Sequence, residues 1–134
     1  MLYQRLIYRS RAVATQDRDK VLSQILDVAN RHNRAHGITG ALTLYDDCFI
    51  QVIEGPPAQI DRLMAILECD PRHRDVQVLG RWAASHRLFG GWAMANAHAF
   101  EMSVETRKIL KSATCGLEMV TVLFGLASGS PLAL

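Results

Sequence analysis

Three hydrogen-bonding side chains stand where the surrounding pattern asks for apolar ones. Tyr8 lies in "LYQRLIYRS" (Leu2 to Ser10), Asn33 ends a helical apolar stripe, and Gln51 sits in the middle of "FIQVIEG" (Phe49 to Gly55). Each has an ordinary reading by itself. A strand tyrosine is a core residue with its hydroxyl at an edge, a helix-end asparagine caps or turns, and a strand glutamine faces solvent. Together they describe a slot: one phenol and two primary amides, walled by Ile25 from one helix and Leu67 from another. Such a slot is apolar on its faces and hydrogen-bonding along its edge, which suits a planar heterocycle. No nucleophile–base pair or titratable dyad accompanies it, so the chemistry is binding rather than hydrolysis.

Other constellations are weaker. His32 and His36 have the i, i+4 spacing of zinc helices, but no HExxH occurs and no third ligand is placed, so the pair reads as a polar helix end and no metal is expected. The glycines of "GITG" and "FGGW" lack the nucleotide-loop fingerprints. "DPRHRD" (Asp70 to Asp75) reads as a solvated turn, or as a phosphate clamp by Arg72 with His73 or Arg74 assisting.

The elements that must position these residues follow from periodicity. "LYQRLIYRS" is strand-like with neither face cleanly apolar, as for a central strand. "DRDKVLSQILDVANRHNRAHG" reads as a helix with Asp17 as N-cap and Gly37 as stop, its stripe running through Val21, Leu22, Ile25, Val28 and Ala29 onto His32 and Asn33. "ITGALTLYDDCFIQVIEG" is a hairpin turning at Asp46-Asp47, with Gln51 on the face of Phe49 and Ile53. "PPAQIDRLMAILECDP" is a second helix, opened by its prolines and stopped before Pro71, with Ile60, Leu63, Met64 and Leu67 inward. "RDVQVLGRWAASH" and "GWAMANAHA" are two further strands, and "EMSVETRKILKS" and "CGLEMVTVLFGLA" two closing helices. The order predicts an α+β fold: a ferredoxin-like βαββαββ mixed sheet with two helices on one face, plus two C-terminal helices.

Composition sets the outer bounds. The 134 residues suggest one domain, with a core that needs neither disulfide nor metal. Apolar residues make up 49% and charged ones 21%, an ordinary globular balance. A formal charge of +2, with 15 dispersed basic residues, gives no nucleic-acid footprint. Cys48, Cys69 and Cys115 read as reduced thiols of a cytoplasmic protein. No signal core or transmembrane run is present, so no membrane partner is expected.

With the residues and elements set out, the sequence resembles the BLUF domain, the sensor of blue light using FAD. The motifs are "IYRS" with Tyr8, "NRAHGITGAL" with Asn33, "FIQVIEG" with Gln51, "DPRHRDV", and "RLFGGWAM" with Trp92 and Met94, in family order from Leu2 to about Phe100. The resemblance implies a cofactor, FAD, held between the helices by Ile25, His32, Asn33, Phe49, Gln51, Leu67, Asp70, Arg72 and His73. Ile25 and Leu67 would sandwich the ring, Asn33 would bond its pyrimidine side, and Asp70 with Arg72 and His73 would lie near its polar side and phosphates. Tyr8 and Gln51 would be the photoactive pair: after blue-light excitation Tyr8 donates an electron and a proton, and Gln51 changes its hydrogen bonding. Trp92 and Met94, on a last strand bordering Gln51, would relay the signal. One departure stands out: position 66, often polar or basic in this family, is Ile66 here.

The division implied is residues 1–100 as the flavin-binding domain and 101–134 as its helical extension. The extension is too short for a cyclase or phosphodiesterase domain, so output would pass to a downstream signalling partner or through a homo-oligomer contact. A flavin-dependent redox enzyme and a photochemically silent interaction module are the competing readings.

Overall fold

In the computed structural model the described residues are 2–13, 17–45, 47–90, 95–96, 120–121 and 123–124. The chain runs β1 (Tyr3–Ala12), α1 (Arg18–His36), β2 (Thr39–Tyr45), β3 (Cys48–Gly55), α2 (Pro57–Glu68), β4 (His73–Ala84) and β5 (Ala95–Asn96). The sheet order is β4-β1-β3-β2-β5. Each neighbouring pair among the first four strands is antiparallel and β5 joins β2 in parallel, so the sheet is mixed. This is the α+β, ferredoxin-like arrangement expected, with β1 and β3 at its centre.

The helix ends follow local chemistry. Asp17 caps α1 by accepting from the Lys20 N–H at 3.3 Å. Gly37 ends it at φ +68°, a left-handed conformation that favours glycine. Pro57 opens α2, where an absent N–H costs no helical bond. Gly40 of β2 is required for a different reason: a Cβ there would meet the Val52 carbonyl oxygen at 2.0 Å.

Both helices cover one face of the sheet, each over its own core cluster. Under α1, Val21, Leu22 and Leu26 pack with Leu42, Leu44 and Phe49. Under α2, Ile60 and Met64 pack with Leu6, Tyr8, Ile38 and Ile53. The seam between the clusters runs over β1 and β3, and Tyr8 and Gln51 lie in it.

Two expectations change. Val28 is 38% exposed and lines the mouth of the cleft between the helices instead of completing the core stripe. The last strand does not border Gln51: β1 and β2 already occupy the two edges of β3, so β5 docks on the outer edge of β2. Trp92, Met94 and Asp46 lie outside the described residues, as do the closing helices apart from the four helical positions at 120–121 and 123–124. Of these, Val120 and Leu123 are buried, and the Phe124 ring meets Phe89 edge-on at 5.7 Å.

Candidate functional site

The register of two central strands builds the site. Antiparallel pairing sets Tyr8 directly opposite Gln51, and the pleat turns both side chains toward the helices. The Tyr8 hydroxyl donates to Gln51 Oε1 at 2.5 Å. Both residues are buried, at 2% and 3% exposure. Burial, with a smaller contribution from the Asp70 charge, pushes the Tyr8 phenol well above its ordinary value, so it stays protonated and a donor at neutral pH.

Above this pair the helices leave an open, mostly apolar cleft, the kind of concave site that takes small molecules. Ile25, Val28 and Ala29 of α1 face Leu63, Ile66 and Leu67 of α2 across it, with Gln51 at its floor. His32, Asn33, His36, Gln59 and Arg62 add polar groups, and Asp70 and Arg72 line it after α2. Asn33 is 2% exposed. A smaller recess shares Ile25, Leu67, Asp70 and Arg72 with the cleft and reaches down to Tyr8, Phe49 and His73.

The residues expected at the site therefore fall into two tiers. Ile25, His32, Asn33, Gln51, Leu67, Asp70 and Arg72 line the cleft. Phe49 and His73 line the recess beneath, where the His73 ring meets Tyr8 and Phe49 at 6.2 Å each. Both His73 nitrogens have protein partners: Nδ1 lies 2.7 Å from Ser10 Oγ and Nε2 lies 2.5 Å from the Leu67 carbonyl. Arg72 closes onto Asp70, donating from Nε and from its backbone N–H at 2.9 Å each, and from a terminal nitrogen at 2.5 Å. Burial pushes the Asp70 carboxyl up, but the Arg72 bonds and charge, helped by His73, hold it below the usual carboxylate range. His36 Nδ1 lies 2.7 Å from the His32 carbonyl oxygen, and no group of three metal-ligating side chains forms among the described residues.

Sequence reasoning missed the other side of β3. Glu54 is 1% exposed. Its Oε2 accepts from Arg5 Nε and the Leu88 N–H, each at 2.8 Å. Its Oε1 accepts from the Phe89 N–H at 2.8 Å and Thr39 Oγ1 at 3.2 Å. Arg5 also reaches the His86 carbonyl, so the pair holds the segment 86–89 against the sheet. The signal was present. Antiparallel strands that set Tyr8 opposite Gln51 must set Arg5, three residues back, opposite Glu54, three residues on.

These features define a class first: an α+β domain with an apolar-walled cleft between two helices, over a tyrosine–glutamine pair on its central strands. The comparisons specify it. The family described as BLUF, sensors of blue-light using FAD, matches residues 3–95, and the chain belongs to that family. It is 34% identical over 95 residues to the photoactivated adenylate cyclase subunit beta of Euglena gracilis, covering 70% of this chain and 11% of that protein. The chain thus spans about a tenth of the length of such relatives. Among solved structures it resembles BlrB, a BLUF protein in its dark state, with a TM-score of 0.81 at 28% identity, covering 95% of this chain and 96% of that one. It also resembles BlrP1 of Klebsiella pneumoniae, with a TM-score of 0.72 at 32% identity over 96% of this chain and 33% of that one. Among the described residues no helix is long and apolar enough to cross a membrane.

Proposed function

We propose that this chain is a blue-light photoreceptor domain that binds FAD and signals to a partner protein through the Tyr8–Gln51 pair. The observation that carries the reading is the buried Tyr8–Gln51 hydrogen bond at the floor of an apolar-walled cleft. The cleft fits a flavin: Ile25 and Leu67 supply opposing apolar walls, Asn33 supplies a buried amide, and Gln59 brings a buried oxygen with no protein partner. FAD is favoured over FMN by the family description, although one BlrP1 structure is described with FMN.

When bound, FAD supplies the absorption of blue light and a strong one-electron oxidant. The protein supplies the rest. Tyr8 is an oxidisable ring whose proton already points along a hydrogen bond to Gln51 Oε1, so electron loss and proton transfer are coupled at one bond. Burial keeps that proton on Tyr8 in the dark. Gln51 presents a carbonyl and an amino group of nearly the same shape, so reversing the amide exchanges donor and acceptor without repacking the core. Two arrangements of one side chain can then lie close in energy, as a switch needs. The Asp70–Arg72 pair fixes the loop at the end of α2, and His73 braces Tyr8 and Phe49 from below.

Several relatives are light-regulated cyclases, and signalling from this chain is assigned to a downstream partner or a homo-oligomer contact on the same grounds. The test is to purify the protein with its cofactor and record absorption before and after blue light. A yellow protein with a small, reversible red shift is expected. A protein that takes up no flavin, or a bound flavin with no shift, refutes the reading.

A further inference from the structure

Among the described residues two buried side-chain oxygens have no hydrogen-bond partner, Thr43 Oγ1 and Gln59 Oε1. Thr43 alternates with Leu42 and Leu44, so it lies on the sheet face away from the helices. Gln59 faces the cleft.

Gln59 stands in the first turn of α2, where its backbone N–H is satisfied by the Pro56 carbonyl at 3.0 Å. Its side chain shares a face of α2 with Leu63 and Ile66, at i+4 and i+7, and all three line the cleft. The start of α2 lies beside the end of α1. A Cβ built on Gly37 would come 3.9 Å from Pro56 Cδ, and the Ile38 N–H donates to the Asn33 carbonyl at 2.9 Å. Gln59 and Asn33 therefore enter the cleft at the same end, remote from the Asp70–Arg72 pair that follows the other end of α2. That pair is closed on itself, and Gln51 is bonded to Tyr8. Ile66, farther along the same face, offers only apolar contact. Burying an amide oxygen unpaired is costly, a penalty that a ligand donor at this point would remove.

We propose that Gln59 anchors the bound ligand. Its side-chain amide hydrogen-bonds the imide-like edge of a planar heterocycle, at the end of the cleft where Asn33 stands. An edge bearing a ring N–H between carbonyls matches this site because a primary amide can accept from the N–H or, turned over, donate to a carbonyl. The proposal rests on the cleft being the flavin site and adds a residue to it.

The test compares wild type with Gln59→Leu. FAD affinity is measured by titrating the apo-protein, the melting temperature with and without FAD, and the ring carbonyl bands by infrared spectroscopy with carbonyl-labelled FAD. The variant is expected to bind FAD about 3- to 10-fold more weakly, the loss of one hydrogen bond. A carbonyl band should move, while the apo-protein melts no lower than wild type because leucine carries no unpaired oxygen. Unchanged affinity with unchanged carbonyl bands overturns the proposal. So does a lower apo melting temperature with unchanged affinity, which would make Gln59 a structural residue. These outcomes are distinct from failure of the flavin reading itself, in which wild type takes up no FAD and both inferences fall.

Discussion

Gln51 and Glu54 lie three residues apart on β3 and face opposite sides of the sheet, and the two sides are built on different terms. On the helix side a neutral amide meets a neutral phenol beneath an open cleft. On the other side a carboxylate meets a guanidinium, two backbone N–H groups and a hydroxyl. An amide can be reversed at little cost because both orientations offer a donor and an acceptor. A buried carboxylate only accepts, and it is held by charge as well as geometry, so it has one good arrangement. The same strand thus carries a group suited to change and, three residues on, a group suited to stay. The fixed group holds 86–89, and Phe89 in turn meets Phe124.

The contrast breaks most sharply at Glu54. Glu54→Leu leaves Arg5 buried without its counter-charge and strips two backbone donors, and should cost about 3–5 kcal/mol in urea unfolding. Replacing Arg5 by leucine as well should recover much of that loss, because well-packed apolar pairs substitute for buried ion pairs. A cost below about 1 kcal/mol for Glu54→Leu would show that the rear of β3 is not firmly held.

On the helix side the effects are smaller. Gln51→Leu leaves the Tyr8 hydroxyl buried without its acceptor and should cost about 1–3 kcal/mol. Tyr8→Phe takes the phenol donor from the buried Gln51 Oε1 and should cost a similar amount, about 1–3 kcal/mol. The double variant measures the pair directly, with a coupling energy of about 0.5–3 kcal/mol expected in denaturant unfolding. Strictly additive costs would mean that the two side chains do not depend on each other.

The smallest effect belongs to Asp70. Its carboxyl is held below the usual range in the folded chain, so the Arg72 pair contributes stability in full above the unfolded value near 3.9. That contribution is lost as pH falls through the folded value. The stability gap between wild type and Asp70→Asn should stay level from about pH 8 to 5 and close at lower pH. Solvent still screens this partly buried pair, so the gap will be modest.

The four main strands and both helices were legible because their periods are clean and their ends carry Asp17, Gly37 and Pro57. Tyr8, Asn33 and Gln51 were legible as polar breaks in apolar faces, and their burial follows from strand and helix placement. Val28 was misread because a stripe records which face is apolar, not whether protein or a cleft lies against it. The position of β5 was misread because the residue pattern of a strand carries no signal for which sheet edge it joins. Glu54 was overlooked because a charge near a strand end ordinarily faces water. Its burial is set by Arg5 and by segment 86–89, which is distant in sequence. Gln59 was not singled out because its surroundings depend on how the two helices sit over the sheet.

The most direct measurement is the light-minus-dark absorption difference of flavin-loaded wild type, Tyr8→Phe and Gln51→Leu. The account predicts a small reversible red shift in wild type and none in either variant, with flavin still bound in all three. A normal shift and recovery in either variant would contradict it.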